Sequence, residues 1–510
     1  MPRALISVSD KAGLVAFAEG LAGLGWDLFA SGGTAATLRA AAVPCRMVED
    51  LGGLPELLGG RVKTLQVQIH AAILARPDQP EDRADLARVG VEPFDLVVVN
   101  LYPFRERPGI ETIDIGGVAL LRAAAKNHAH VLVLCRPDDY EGVLTGLRQG
   151  RIGIETRRRL ALEAFRHTAT YDAAIAAWLA GGHPLADLAP GDEATFPLEL
   201  PLGYVRAQGL RYGENPHQRA AVYRDALPNG PGLLDSQQLQ GKELSYNNLM
   251  DAEAAWDLVW RFDDSACVAV KHAGPCGVAV GSTAADAFSR ARAGDPVSIY
   301  GGIVAWNRPL DGETVELLGD LFLEVLIAPS VTEQARKALH RKKNLRVLQC
   351  PAPLAGRPLD YRVRRVSGGI LVQDEDRVTA DPAAWQVVTD RAPTGEERRA
   401  MAFVWQVVRA VPSNAIVVGQ GQQTVGIGGG APNRIDPARS ALRQAGERSR
   451  GAVLASDGFF PFDDVVQAAA EAGITAVVQP GGSRSDEASI AACNRAGMAM
   501  VFTGVRHFRH

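Results

Sequence analysis

The sequence predicts an α/β protein whose first part is a parallel sheet with helices on both faces. Two observations carry that expectation. Residues 1 to about 180 alternate short apolar runs with helical repeats, and those runs are apolar throughout rather than at every second position. A third observation concerns the second half, where the layout apolar strand, polar pair, turn, strand occurs twice and hints at a duplicated subdomain.

In the first half ALISVSD reads as a strand, AGLVAFAEGLAGLG as a helix, WDLFAS as a strand and TAATLRAAA as a helix. FDLVVVNLYPF then reads as a strand, VALLRAAAKNH as a helix and HVLVLC as a strand. Ligands of such sheets sit at the carboxyl ends of the strands, and those ends carry polar groups here. The first strand runs into Ser7, Ser9, Asp10 and Lys11. The second runs into Ser31, Gly32, Gly33 and Thr34 just before a helix, where small residues and exposed amides can hold a phosphate. GGRVKTL places Arg61, Lys63 and Thr64 on a Gly-led loop, NLYPF places Asn100 and Tyr102 at a strand end, and DIGG places Asp114 before a helix that carries Lys126 and His128. Each also fits a cap, a turn or a solvated face. Together they supply anion-binding groups and a Lys/Tyr/Asp set for proton transfer on one sheet edge.

The stretch 181–203, rich in Pro and Gly without helical period, reads as a linker, narrowed to 191–203 between domains at 1–190 and 204–380, with a last subdomain at 381–510. Beyond it, LRYGENPHQ sets Arg211 and Tyr212 before a turn, and GKELSYNNLMDAEAAWDLVW reads as a loop followed by a helix. VAVKHAGPCGVAVG then delivers Lys271 and His272 where an apolar run stops and a Gly-Pro turn begins. A histidine there can move a proton near neutral pH, and a desolvated lysine can stabilise developing negative charge. SIYGGIVAWN reads as a Gly-interrupted strand, FLEVLIAPS as another, and GEERRAMAFVWQVVRAV as a helix capped near Thr394 that ends before Pro412. SNAIVVGQGQQTVGIGGGAPNRID gives two strands joined by a Gly-Gln turn, then Arg434 before a helix with Asp436 as N-cap and Pro437 in its first turn.

Composition bounds the function. A chain of 510 residues has material for roughly three domains. Hydrophobic residues at 47% and charged residues at 22% fit a soluble globular protein, and the net charge of -4 leaves no broad footprint for nucleic acid. The N-terminus reaches charged residues too soon for a signal peptide, and no run approaches the roughly 20 apolar residues of a membrane span, so a cytoplasmic protein is expected. Six cysteines without a CxxC pair read as buried thiols of a reducing compartment.

The residues also bear on three other readings. Gly426, Gly428 and Ala431 match GxGxxA, the mark of a nicotinamide-dependent oxidoreductase, but the preceding strand pairs back through a short turn instead of opening a βαβ unit. His272 with Pro275 and Cys276 suggests a zinc deaminase, but that chemistry needs HxE and PCxxC, and residue 279 is alanine. A non-enzymatic scaffold would not need so many acid-base groups at strand ends.

In their order and spacing, SVSDK, ASGGT, GGRVKTL, NLYPF, DIGG, LLRAAAKNH, LRYGENPHQ, VKHAGPCG, SNAIV, IGIGGG, FFPF and the terminal RHFRH resemble a bifunctional purine-biosynthesis family. That family joins aminoimidazole carboxamide ribonucleotide transformylase to inosine monophosphate cyclohydrolase, and the likeness spans nearly the whole chain. The resemblance implies an N-terminal domain of methylglyoxal-synthase-like fold for cyclisation, followed by two cytidine-deaminase-like α/β subdomains for formyl transfer. It also implies a homodimer with transformylase sites across the interface, 10-formyltetrahydrofolate as co-substrate and no catalytic metal, and it leaves a structural monovalent cation open. Lys271, His272 and Asn414 match the family's catalytic positions for formyl transfer. Arg211, Tyr212, Gly301, Glu324, Arg434 and Arg506 match positions that hold the nucleotide, and Ile435, Phe459, Asp464, Ser483 and Arg484 match positions around the folate. In the first domain Ser9 to Lys11, Ser31 to Thr34, Arg61, Thr64, Asn100 and Ile115 match nucleotide contacts, while Lys63, Tyr102, Asp114 and Lys126 match the groups that move protons in cyclisation. One departure stands out. After GGRVKTL the family usually continues His-Pro, whereas Gln66 and Val67 follow here, so the loop that carries Lys63 is expected to be held differently.

Overall fold

Strands that are apolar on both faces can be buried only if helices cover both sides of their sheet. The N-terminal unit is built that way in the computed structural model, which describes residues 1–51, 57–182, 196–228, 230–354 and 361–510. The chain divides into two units, Met1–Val205 with Tyr223–Asn229, and Arg206–Val222 with Gly230–His510. Of the expected linker, residues 191–195 lie outside the described residues.

In the first unit the order is β1 (Arg3–Val8), α1 (Leu14–Gly23), β2 (Asp27–Ala30), α2 (Gly32–Ala40), β3 (Arg46–Met47), α3 (Val67–Leu74), α4 (Pro80–Val89), β4 (Leu96–Asn100), α5 (Gly116–Lys126), β5 (Leu132–Leu134), α6 (Tyr140–Arg148) and α7 (Ile154–Leu179). The sheet order is β3-β2-β1-β4-β5 with every pair parallel. Strand β4 is buried at all of its positions, as its LVVVN sequence requires. The order places the carboxyl ends of β1, β2 and β4 side by side. A two-stranded ribbon, β6 (Tyr204–Leu210) and β7 (Ala220–Asp225), carries the chain between the units.

The second unit contains the duplication. Its first half runs β8 (Gln237–Gln240), α8 (Tyr246–Val259), β9 (Ala266–Lys271), β10 (Gly274–Val280), α9 (Ala284–Gly294), β11 (Ile303–Trp306), α10 (Gly312–Leu317), β12 (Val325–Ala328), α11 (Glu333–Leu339) and β13 (Arg346–Gln349). A hairpin of β14 (Tyr361–Val366) and β15 (Gly369–Asp374) follows. The second half runs β16 (Gln386–Val387), α12 (Gly395–Val408), β17 (Ile416–Gly419), β18 (Thr424–Gly428), α13 (Ile435–Ala445), β19 (Val453–Ser456), α14 (Asp464–Glu471), β20 (Ala476–Gln479), α15 (Asp486–Arg495) and β21 (Ala499–Phe502). The sheet orders, β10-β9-β11-β12-β13-β8 and β18-β17-β19-β20-β21-β16, correspond strand for strand. In each, a hairpin pairs antiparallel with three parallel strands, and a short antiparallel strand closes the far edge. Helices α8 and α12 share one core between the sheets, with Trp256, Val259, Val404 and Val407 packed among Val268, Val270, Val417 and Val453. Thr394 caps α12 by accepting from the Glu397 backbone N–H, in a capping box whose two halves are both made.

Three sequence expectations need correction. The glycines of SIYGGIVAWN do not interrupt a strand: Gly301 has φ 72° and both precede β11, because Gly302 passes so close to the Val270 and Ile299 carbonyls that a Cβ would lie 2.9–3.0 Å from them. The turn after Lys271 is made by His272 and Ala273, and Gly274 and Pro275 already belong to β10. Asp436 is not the N-cap of α13, which begins at Ile435; that position is Arg434, without a side-chain cap, and Asn433 Oδ1 just before it accepts from the Asp436 N–H at 2.9 Å. The glycines of the GxGxxA match have a packing cause. A Cβ on Gly426 would lie 2.0 Å from the Ala441 carbonyl oxygen and one on Gly428 2.2 Å from that of Pro437, so these residues let α13 lie directly on β18 in an antiparallel hairpin. That is not a dinucleotide fold.

Candidate active sites

In the first unit the three neighbouring strand ends open on a cavity of about 720 Å³. Ser9, Lys11, Ser31, Gly32, Gly33, Thr34, Arg61, Lys63, Thr64, Asn100, Tyr102, Asp114 and Ile115 all line it. Side chains from β4 and α2 shape the loop after β1. Asn100 Oδ1 accepts from the backbone N–H groups of Ser9 at 2.6 Å and Asp10 at 2.8 Å, and its Nδ2 donates to the Asp10 carbonyl at 3.0 Å. Thr34 Oγ1 accepts from the Val8 N–H at 3.1 Å and from Lys11 Nζ at 3.2 Å. Burial pushes the Lys11 ammonium below its ordinary range, with Asp10 working the other way.

Helix α2 starts at Gly32, and its first amides face the cavity rather than a side-chain cap. A Cβ at Gly32 or Gly33 would meet nothing within 4 Å, so packing does not demand glycine there. The bare backbone with Lys11 beside it is an anion cradle. Across the cavity Asp114 accepts from the Gly117 N–H at 2.7 Å at the start of α5, and its own N–H donates to the Tyr171 hydroxyl at 2.9 Å. Burial raises the Asp114 carboxyl above the usual carboxylate range, opposed by the N–H groups of Gly117 and Tyr102. Arg61 Nε donates to Glu111 at 3.3 Å in an exposed pair on the rim. Gln66 is buried at the entry to α3, and its Nε2 donates to the Lys63 carbonyl at 3.3 Å, a tie to the residue that carries the ammonium.

Asp10, in the loop after β1, is not among the lining residues, and neither is Lys126. It is the last residue of α5, whose first residues line the cavity, so the helix sets it about 15 Å from Gly116, exposed and off the cavity lining.

In the second unit the expected residues other than Arg211 and Tyr212, which follow the β6 ribbon, fall on two sheet edges. At the first, Lys271 ends β9, and its Nζ donates to the Tyr300 carbonyl at 2.9 Å. Gly301 precedes β11 and Glu324 precedes β12, and the Glu324 N–H donates to the Gly302 carbonyl at 3.0 Å. Glu324 also pairs with Arg346 at 2.6 Å. These groups therefore stand in a row across adjacent strands, at the amino ends of the parallel ones.

The second edge lies at the carboxyl ends of β19, β20 and β21. Asn414 precedes β17; its Oδ1 accepts from Arg434 at 2.7 Å and its Nδ2 donates to the Ala431 carbonyl at 3.1 Å. Arg434 is buried, donates to Ser456 Oγ at 2.8 Å and forms an ion pair with the fully buried Asp457. Asp457 also accepts from Ser413 Oγ and from the Ala415 N–H, so both of its oxygens are used. Ile435 opens α13, Asp464 opens α14, Phe459 is exposed after β19, and Ser483 and Arg484 lie in the loop after β20. Arg506 follows β21 with its guanidinium 4.5 Å from the Phe508 ring centre. Arg211 follows β6 and stacks on Tyr212 at 4.9 Å. The hydrogen bonds of Lys271 and of Asn414 each stay on their own edge.

Asp457 and Asp251 escaped the sequence reading. Asp457 ends an apolar run in LASDG, the same kind of signal that singled out Lys271, so it was open to detection. Asp251, which accepts from the His272 and Ala273 N–H groups, sits within a helix and carries no local signal. Among the described residues no group of three His, Cys, Asp or Glu side chains is arranged to hold a metal ion, and no helix is long and apolar enough to cross a membrane.

A family model described as AICARFT/IMPCHase bienzyme matches residues 124–444, and one described as MGS-like domain matches residues 13–132. A curated relative from Acidithiobacillus ferrooxidans, named Bifunctional purine biosynthesis protein PurH, is 51% identical over 522 residues, covering 100% of this chain and 99% of the relative. One of the same name from Anoxybacillus flavithermus is 50% identical over 518 residues, again covering 100% of this chain and 99% of the relative. A solved structure described as the crystal structure of ForH shares 41% identity over 36% of this chain and 98% of its own, with a TM-score of 0.34.

Proposed function

We propose a function that proceeds from one plain fact: the chain belongs to the AICARFT/IMPCHase bienzyme family. The second unit transfers the formyl group of 10-formyltetrahydrofolate to the exocyclic amine of 5-aminoimidazole-4-carboxamide ribonucleotide. The first unit then closes the formylated nucleotide to inosine monophosphate with loss of water. The observation that supports this most is the cavity of the first unit, which has an anion cradle at α2 on one side and Lys63, Tyr102 and Asp114 on the other.

Ring closure joins a carboxamide nitrogen and a formyl carbon already held in one molecule, so the unit chiefly fixes their rotamer. The α2 amides, with Lys11 and Thr34, hold the phosphate. Asp114 accepts the proton that the attacking nitrogen loses and Lys63 gives a proton to the oxygen of the tetrahedral adduct; Tyr102 supplies the second proton as that oxygen leaves as water, while the formamide nitrogen gives up its own proton to the lysine amine as the ring C=N bond forms. Lys126, matched to the same proton transfers, stands at the far end of α5.

For formyl transfer, the amine lone pair is delocalised into the ring, so attack needs a base as the new bond forms. His272 takes that proton. Lys271 and Asn414 stabilise the oxygen of the tetrahedral adduct, whose collapse breaks the bond to the folate nitrogen, which leaves with a proton. Glu324 and Gly301 hold the nucleotide with Arg211, Tyr212, Arg434 and Arg506, and the loops at Phe459, Asp464 and Ser483 receive the folate.

A homodimer completes each transformylase site by bringing the Lys271 edge of one copy to the Asn414 edge of the other, in a cytoplasmic enzyme whose subdomains meet near residue 380. Tyr300, Phe322, Phe459, Phe462 and Phe508 leave large rings exposed around these edges, which supports such a cover. Mixing inactive Lys271→Ala with inactive Asn414→Ala under subunit exchange is expected to restore about a quarter of wild-type transfer, because half of the dimers are mixed and one of their two sites is intact. No restored activity would place both residues in a site of one chain.

The tie from Gln66 to Lys63 also has a consequence. Gln66→Ala is expected to slow cyclisation of the formylated nucleotide by about fivefold and to leave transfer unchanged, since one hydrogen bond that steadies the Lys63 loop is lost. Replacing Gln66 and Val67 by His-Pro tests the same point, and an unchanged cyclisation rate with an unchanged loop would count against it.

A further inference from the structure

The link between β9 and β10 is two residues long, with Lys271 and Gly274 facing each other in register. Both linking residues are in the left-handed region, His272 at φ 53° and Ala273 at φ 57°. Two-residue hairpin links with positive φ at both positions favour Asn-Gly or Gly-Gly, because a Cβ crowds the backbone there. Histidine and alanine hold that shape only if something outside the turn fixes it. Asp251, on the first half of α8, does so. Its Oδ2 accepts from the His272 N–H at 3.3 Å and its Oδ1 from the Ala273 N–H at 2.6 Å, so both oxygens are used on consecutive amides. Among the described residues it forms no salt bridge, so these amides are its partners. Lys271 is steadied separately by the Tyr300 carbonyl, whereas the exposed imidazole of His272 is aimed by the backbone of the turn.

We infer that Asp251 is a positioning residue for formyl transfer: its carboxylate holds the His272–Ala273 turn in the left-handed form that points the imidazole at the reacting amine. The inference rests on the function proposed above.

The test uses the full-length protein and compares kcat and KM for formyl transfer, with cyclisation by the first unit and thermal unfolding measured on the same preparations. Asp251→Ala is expected to lower the kcat of transfer by about 30-fold, with both KM values within about threefold and cyclisation unchanged, because a small displacement of the base is felt in the transition state. Adding Ala273→Gly, which removes one crowded Cβ, is expected to recover about tenfold of that loss. Asp251→Asn, which keeps one acceptor for the Ala273 N–H, is expected to lose only about fivefold. A role in folding alone would lower unfolding temperature without this split or this rescue.

Transfer that survives Asp251→Ala within about twofold would overturn the role. So would an Asp251→Asn variant as impaired as Asp251→Ala, or a double variant no better than the single one. If Asp251→Ala does not fold, Asp251→Asn with and without Ala273→Gly decides by the same comparison. Absence of transfer by the wild type overturns the assigned reaction and this role with it, whereas wild-type transfer indifferent to Asp251 overturns the role alone.

Discussion

Lys271→Ala is expected to lower the turnover of formyl transfer by about 10³-fold while cyclisation of added formylated nucleotide continues at the wild-type rate. The size follows from where the ammonium stands. Lys271 ends a buried strand, is fixed by the Tyr300 carbonyl, and lies in a row with Gly301 and Glu324, so its charge is already in place when the adduct oxygen develops. A donor fixed in advance stabilises the transition state without reorganisation, and its loss appears in kcat more than in KM. The selectivity follows from the division of the chain, because the cyclisation residues belong to the other unit. Steady-state assays of the two half-reactions check both parts. Equal loss of both activities would mean that the substitution damaged folding or that the two sites are one.

Asp114→Asn is expected to lower cyclisation by about 10²-fold to 10³-fold and to leave transfer intact. Burial raises the Asp114 carboxyl, so its protonated form persists to a higher pH than that of an ordinary aspartate. The ionised form is the proton acceptor, and it is lost as pH falls through that raised value. The acid limb of cyclisation should therefore lie above the usual carboxylate range in the wild type and vanish in Asp114→Asn, whose residual rate should be flat there. An acid limb unchanged by the substitution would remove Asp114 from the proton transfer. Asparagine keeps an oxygen to accept from the Gly117 N–H, so the start of α5 is preserved and the comparison reports on the proton.

The parts of this site that were legible in the sequence are those that local physics dictates. Uniformly apolar runs specified buried strands, and polar residues directly after them marked the sheet edges where Ser9, Lys11 and Asn100 stand in the first unit and Lys271 in the second. Relations between distant residues were not legible. The bond from α8 to the His272 turn spans 21 positions, and that from Arg434 to Asp457 spans 23, with no pattern in the intervening residues to announce either. Lys126, which a motif shared with the family marks for proton transfer, stands at the far end of α5 and off the cavity lining, a placement that the sequence pattern alone does not show. The glycines at 426 and 428 matched a dinucleotide motif because close helix packing and close phosphate approach both exclude a Cβ, and only the strand pairing tells the two apart. Gln66 lies between these cases. Its departure from the family pattern was visible, and its bond to the Lys63 carbonyl depends on how the chain turns into α3.

The most direct measurement incubates the purified chain with 5-aminoimidazole-4-carboxamide ribonucleotide and 10-formyltetrahydrofolate and identifies the nucleotide product by mass. Inosine monophosphate that forms with the wild type and not with Lys271→Ala is the expected result, since it requires both units to act in sequence. Accumulation of the formylated intermediate would contradict the assignment of the first unit, with the Gln66 loop as the place to look, and absence of any formyl transfer would contradict the central claim.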